Sequence, residues 1–288
     1  MKDLKLVFYL LISILIIPTM TLAKPIINYN GIEISEEDYE RFLLVYPHEY
    51  IMTMDQTKYE KLLNLDFDNI EVITKYIATT YNPSLNLTTE RELSKAEYDN
   101  FVPSGLSSTN NGKPVRLNDG STSYETTAKK ISLLLIGGSQ YNNVVLTATW
   151  KVLPNTRSFD VIGFRGFGFD FRNGSQSGDQ IYTLNGVYHD ITYSWNGTNI
   201  NKQSNGYGIS MNIVNSNITA LQLITECDIE PTIEHPAIYA SYQHAVSNLT
   251  LAQSQNYTLG IAGLGYVFVY PYNISQKYDG MSGLSITY

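Results

Sequence analysis

From Phe159 to Phe171 the chain reads FDVIGFRGFGFDF. If this stretch is extended, Phe159, Val161, Phe167, Phe169 and Phe171 fall on one face and Ile162 and Phe164 on the other. A strand that is apolar on both faces must be covered on both, so it belongs in the middle of a layered β-structure. Its charges carry a second constraint. Arg157, Asp160 and Arg165 interrupt the apolar rows, and a buried charge without a partner costs several kcal/mol. Asp160 and Arg165 point to opposite faces and cannot pair with each other. Glu125, Lys151 and Asp190 are the candidate partners, and Trp150 joins these charges as structural. Gly166 and Gly168 point to a bulge or a close backbone approach.

Strict alternation surrounds this stretch. Val144, Leu146, Ala148, Trp150 and Val152 share one face. So do Tyr207, Ile209, Met211 and Ile213, and so do Leu221, Leu223, Thr225, Cys227 and Ile229. Tyr266, Phe268, Tyr270 and Tyr272 form an aromatic row, and Leu284, Ile286 and Tyr288 close the chain in the same manner. With 124–136, 158–171, 180–195, 237–246 and 256–261, about ten strands are expected after residue 122. Only 16% of residues are charged and 23 are Tyr, which suits pleated surfaces. The expectation is a mainly β protein: a two-sheet antiparallel, jelly-roll-like β-sandwich over 122–288. A membrane β-barrel would also alternate and end in an aromatic residue, but it needs one polar lumen face, and SLLLIG and DVIGF are apolar on both faces.

Residues 24–103 hold more charge and read as a short helical N-terminal region. ISEEDYERFLL, MDQTKYEKLLN and LSKAEYDNFVP form a weak repeat with Ser35, Asp55 and Ser94 as N-caps. Tyr39, Phe42 and Leu43, and likewise Tyr59, Leu62 and Leu63, take helical spacing. Residues 104–121 read as a linker, being rich in Gly, Ser and Asn.

The first 23 residues predict export. Lys2 and Lys5 precede an apolar run from Leu6 to Ile17, and Thr21-Leu22-Ala23 supplies small residues at a cleavage position. The mature chain would begin near Lys24, secreted and free, with membrane contact only through the signal peptide before cleavage. Cys227 is the single cysteine, so no internal disulfide is expected. Sequons occur at Asn86, Asn173, Asn196, Asn217, Asn248, Asn256 and Asn273.

TWKVLPNTRSFDVIGFR, preceded by SYETTAKKISL, resembles a TWK-x2-P-x2-RSFDVIGFR-like stretch of uncharacterised exported proteins of Gram-positive bacteria. The resemblance covers about 45 residues and implies export. It carries no activity and no catalytic residue.

Motifs for catalysis are missing. His48-Glu49 begins an H-E-x-x-H pattern that Met52 breaks, and neither G-x-S-x-G, S-x-x-K nor a phosphate-binding glycine loop occurs. Cys227 lies in an apolar row and reads as an inert thiol. The net charge of −8 and the lack of a basic run argue against nucleic-acid binding. Glu226, Asp228 and Glu230 alternate on one strand face. They would hold Ca²⁺, the one ion the sequence suggests, or act as a glycosidase acid/base pair, or form a solvated face. Tyr182, Tyr188, Tyr193, Trp195 and Tyr207, set among Asn/Gly turns, suit a sugar or an extracellular protein partner. The reading is therefore a secreted, non-catalytic β-sandwich binding a carbohydrate or another extracellular or envelope partner. The alternatives are a secreted hydrolase and a self-assembling surface protein.

Overall fold

The computed structural model describes residues 24–82, 85, 87–102, 106–109, 113–116, 125–260 and 267–287. Residues 1–23, which read as a signal peptide, most of the expected 104–121 linker, Asn86, Tyr266 and Tyr288 lie outside them. In chain order the first elements are β1 (Ile26–Ile27), β2 (Glu33–Ile34), α1 (Glu36–Leu43), α2 (His48–Thr53), α3 (Gln56–Leu63), β3 (Leu65–Asn82), β4 (Leu87–Leu93) and α4 (Lys95–Asp99). Then come β5 (Leu106–Thr109), β6 (Lys113–Arg116), β7 (Glu125–Gly138), β8 (Asn142–Val152), β9 (Phe159–Phe167), β10 (Phe169–Phe171), β11 (Ser177–Leu184), β12 (Val187–Ser194) and β13 (Ile200–Gln203). The chain ends with β14 (Gly206–Asn212), β15 (Ile218–Pro231), β16 (Ala237–Gln243), α5 (Leu251–Ser254), β17 (Thr258–Leu259), β18 (Phe268–Val269), α6 (Tyr272–Ser275) and β19 (Ser282–Thr287).

The protein is mainly β, with antiparallel sheets packed together. The larger sheet runs β12-β11-β15-β8-β7-β3-β4, with β10 also paired to β15. The smaller runs β13-β14-β9-β16-β19. Their facing sides enclose the main core, including Leu133, Leu146, Trp150, Phe164, Ile209 and Leu223. The inward rows of β8, β14 and β15 follow the alternation in the sequence.

Both sheets are also covered outside, which accounts for strands that are apolar on both faces. On β7, Leu134 and Ile136 face a second core built with Phe42, Tyr46, Ile51 and Leu62 from α1–α3. On β9, Val161 faces a third core with Leu249, Tyr257, Phe268 and Ile274 from the C-terminal segment. Phe42, Ile51 and Leu62 are fully buried, worth roughly 1.5–3 kcal/mol each. Helices this short hold through such burial rather than through propensity.

Two expectations change here. Helices occupy 36–43, 48–53, 56–63 and 95–99, with Ser35, Asp55 and Ser94 as the N-caps, each accepting a backbone N–H. Between them, however, 65–82 and 87–93 are strands of the larger sheet. Their charges sit largely on exposed positions, and β3 is rich in β-branched residues. The aromatic row 266–272 is also not one strand, since β18 is two residues long and Tyr272 begins α6.

Tight geometry appears where small residues allow it. Asn185 and Gly186 (φ 53° and 78°) make the two-residue hairpin between β11 and β12. Gly168 (φ 69°) separates β9 from β10, and a Cβ there would lie 2.3 Å from the Ile233 side chain.

Candidate functional site

The outer face of the larger sheet divides into a part under α1–α3 and a part left open. The helices are pinned by charge as well as by the core. Lys58 Nζ lies 2.7 Å from Asp179 Oδ1, which also accepts from Thr192 at 2.7 Å. Lys61 Nζ lies 3.1 Å from Glu226 and 3.5 Å from Asp228. The Tyr46 hydroxyl donates to Glu226 at 2.7 Å. Burial pushes the Glu226 carboxyl up, but the Lys61 charge and the hydrogen bonds from Tyr46 and Lys61 outweigh it and hold it below its ordinary value. Burial wins at Asp179, whose pKa is raised despite Lys58.

Beside the helices a groove of about 350 Å³ opens over the sheet. Its floor carries the hydroxyls of Thr74, Ser132, Thr147, Thr149 and Thr183 and the amide of Gln222. These are outward residues of β3, β7, β8, β11 and β15. Leu43, Leu44 and Pro47 from the α1–α2 connection form an apolar wall. Thr74 and Ser132 hydrogen-bond across strands at 2.9 Å, whereas the buried Thr149 Oγ1 has no partner. At the rim, the Glu49 charge raises the pKa of the Tyr188 hydroxyl. Tyr188 stacks on the exposed Tyr29 with ring centroids 6.4 Å apart, and His48 packs edge-on to it at 6.1 Å. The groove thus has a flat polar floor and an aromatic edge.

The structure scatters the aromatic candidates. Tyr188 is at the groove rim. Tyr182 stacks on His189, and the Tyr193 hydroxyl accepts from Gln180, both turned to the other side of the sheet. Trp195 is exposed with Lys202 Nζ 4.2 Å over its ring. Tyr207 is not a surface residue: it is 1% exposed in the main core and hydrogen-bonds Thr225 and the Glu226 carbonyl. Its Gly neighbours, which read as turn residues, belong to β14.

Of the acidic row, Glu226 is buried against Lys61, and Asp228 is flanked by Lys61 and Arg172. Glu230 is exposed opposite Asp170 of β10. An ammonium therefore stands beside Glu226 and Asp228 where a cation would. Among the described residues, no group of three His, Cys, Asp or Glu side chains could hold a metal ion.

The charges of 157–165 are satisfied from elements other than those expected. Arg157 donates to the carbonyls of Pro154, Val214 and Ser216. Arg165 donates to the carbonyls of Leu259 and Gly260. Asp160 accepts from the Tyr242 hydroxyl and the Ala245 N–H and lies 3.0 Å from His244 Nδ1. Trp150 donates to Tyr242 at 3.1 Å. Neither Lys151 nor Asp190 takes part, and the Glu125 side chain lies outside the described residues. Next to this network, the fully buried Lys129 pairs with Asp279 and lies 3.5 Å from Glu90.

Cys227 is a buried free thiol that burial pushes well up. The six described sequon asparagines, from Asn173 to Asn273, are all exposed, and none lines the groove.

No family model matches the chain, and no curated protein matches it. Among solved structures, a chain described as "Pore forming protein" is similar over 47% of this chain and 81% of its own, at 9% identity and a TM-score of 0.20. At that TM-score the likeness carries no weight for fold or activity. Among the described residues, no helix is long and apolar enough to cross a membrane.

Proposed function

We propose that this is an exported, non-catalytic protein that binds a carbohydrate in the groove on the outer face of its larger sheet. The observation that carries this reading is the groove floor: five Ser and Thr residues and Gln222 from five strands of one sheet. Saccharides present the complementary array, with hydroxyls for hydrogen bonds and C–H faces for aromatic rings such as Tyr29 and Tyr188 at the rim. The positively charged start, apolar run and small-residue site of the first 23 residues support export. The acidic strand offers little to a hydrolase, because Glu226 is buried and tied to Lys61 and Tyr46.

A pull-down on cell-wall sacculi and a panel of insoluble polysaccharides, with and without Ca²⁺, tests this reading. Saturable retention on one polymer, weakened by Gln222→Ala and Tyr188→Ala, is the expected result. Retention on none, or retention indifferent to both substitutions, would refute it.

A further inference from the structure

Three half-buried or orphaned donors in the groove form one row. Lys130 on β7 pairs in register with Thr149 on β8, and Thr149 with Gln222 on β15. Neighbouring strands lie about 4.8 Å apart, so the three side chains stand side by side on the outer face within reach of one small ligand group.

Lys130 is the lysine that lines the groove. Lys58, Lys61 and Lys129 each have a carboxylate, Asp179, Glu226 and Asp279 in turn. Lys130 is half-buried and makes no ion pair or hydrogen bond among the described residues, in a protein of net charge −8. Burial, and then the nearby Lys95 ammonium, push its pKa down. An enclosed ammonium without a counter-charge is unfavourable in the free protein and is relieved by an anion. The Thr149 hydroxyl also lacks a partner. The Gln222 amide makes no side-chain hydrogen bond among the described residues and adds N–H donors. The carboxylate in the groove lining is Glu49, on the helix side beside Tyr188.

Building on the carbohydrate reading above, we infer that the groove takes an acidic saccharide and seats its carboxylate or sulfate on Lys130, Thr149 and Gln222. The sugar hydroxyls then meet Thr74, Ser132 and Thr147 along the floor. The oxyanion accepts from one ammonium, one hydroxyl and one amide, a charge-assisted set that a neutral sugar cannot use in full.

The test is a titration of the protein with polygalacturonate, dextran sulfate and unmodified dextran, at low and at high salt. Binding of either acidic polymer, with dextran at least about tenfold weaker, is expected, and Lys130→Gln should remove that preference. Polygalacturonate alone would identify a carboxylate as the recognised group, and dextran sulfate alone a sulfate. Because Lys130 is half-exposed and unpaired, its Gln variant should unfold at or above the wild-type midpoint, which separates lost binding from lost fold. Equal binding of dextran and the acidic polymers, unchanged in Lys130→Gln, would overturn this inference and leave the groove reading standing. Acidic binding that survives Lys130→Gln and disappears in Lys202→Gln would also overturn it, by moving the site to the Trp195 side. Failure to bind any polysaccharide would overturn both.

Discussion

The charges packed beside the main core make stability fall as pH rises through neutrality, and Glu90 contributes to that trend. Its carboxylate, on edge strand β4, faces Lys129 of β7 at 3.5 Å, Thr79 of β3 at 3.4 Å, and the Asp279-Gly280 backbone before β19. Behind Lys129 stand Asp160, His244 and Tyr242. Burial, against the opposing pull of Lys129, pushes Glu90 from 4.5 up to about 7. A folded-state pKa above the unfolded value means that the folded protein holds the proton more tightly. The contribution is complete below about pH 4.5 and is lost as pH rises through about 7. The shift of 7 − 4.5 = 2.5 corresponds to about 3 kcal/mol. The side chain is 22% exposed and the strand edge is wet, so screening trims this to about 2 kcal/mol. Urea unfolding of wild type and Glu90→Gln at pH 5, 6, 7 and 8 reads it directly. The wild type should lose about 2 kcal/mol more than the variant across that range. His244, whose pKa is also raised, gives the same sign in both proteins and cancels in the difference. Parallel pH profiles for the two proteins would refute the argument.

Other consequences are equally direct. Lys61→Met leaves Glu226 buried without its cation and should cost about 3–5 kcal/mol, read as a lower urea midpoint. Glu226 has the opposite pH sense to Glu90: its folded pKa is lowered, so its contribution is present above the ordinary carboxylate value and lost as pH falls through the folded one. Glu226→Gln should therefore flatten the acid limb of the stability profile. Gly168→Ala forces a positive φ on a residue with a Cβ and presses it on Ile233, which is partly exposed and can yield; a loss of about 1–2 kcal/mol in thermal or urea unfolding is expected. Cys227 should stay unreactive to a thiol reagent such as DTNB in the native protein and react once denatured, since burial disfavours its thiolate.

The parts of the fold legible in the sequence are those that one strand states by itself. Val144 to Trp150, Tyr207 to Ile213 and Leu221 to Ile229 alternate, and each row enters the main core. Phe159–Phe171 and SLLLIG show the need for cover on both faces. β3 and β4 were masked because Asp66, Asp68, Glu71, Glu90, Arg91 and Glu92 give the stretch the composition of a surface helix. The groove was illegible for a different reason. Thr74, Ser132, Thr147 and Gln222 come from four strands, and their meeting depends on the order β15-β8-β7-β3, which no local pattern encodes. Tyr207 misled because its Gly neighbours resemble a turn, and only pairing with β9 reveals a central strand. The partners of Arg157 and Arg165 are backbone carbonyls, which have no sequence signature.

Strand β3 has a mechanical consequence. Its 18 residues span about 60 Å. One end, at Leu65 and Phe67, is anchored in the core beneath the helices, and the other pairs with β4, whose Glu90 abuts the C-terminal cover through Lys129 and Gly280. It is laddered to β7 at Leu65 and Asp66 and, after a bulge, from Ile70 to Tyr81. A pull that drags the helical cover away from the C-terminal cover runs along this strand, so the ladder is stressed in shear, many bonds at once, rather than peeled one bond at a time. The molecule is braced for tension along that axis.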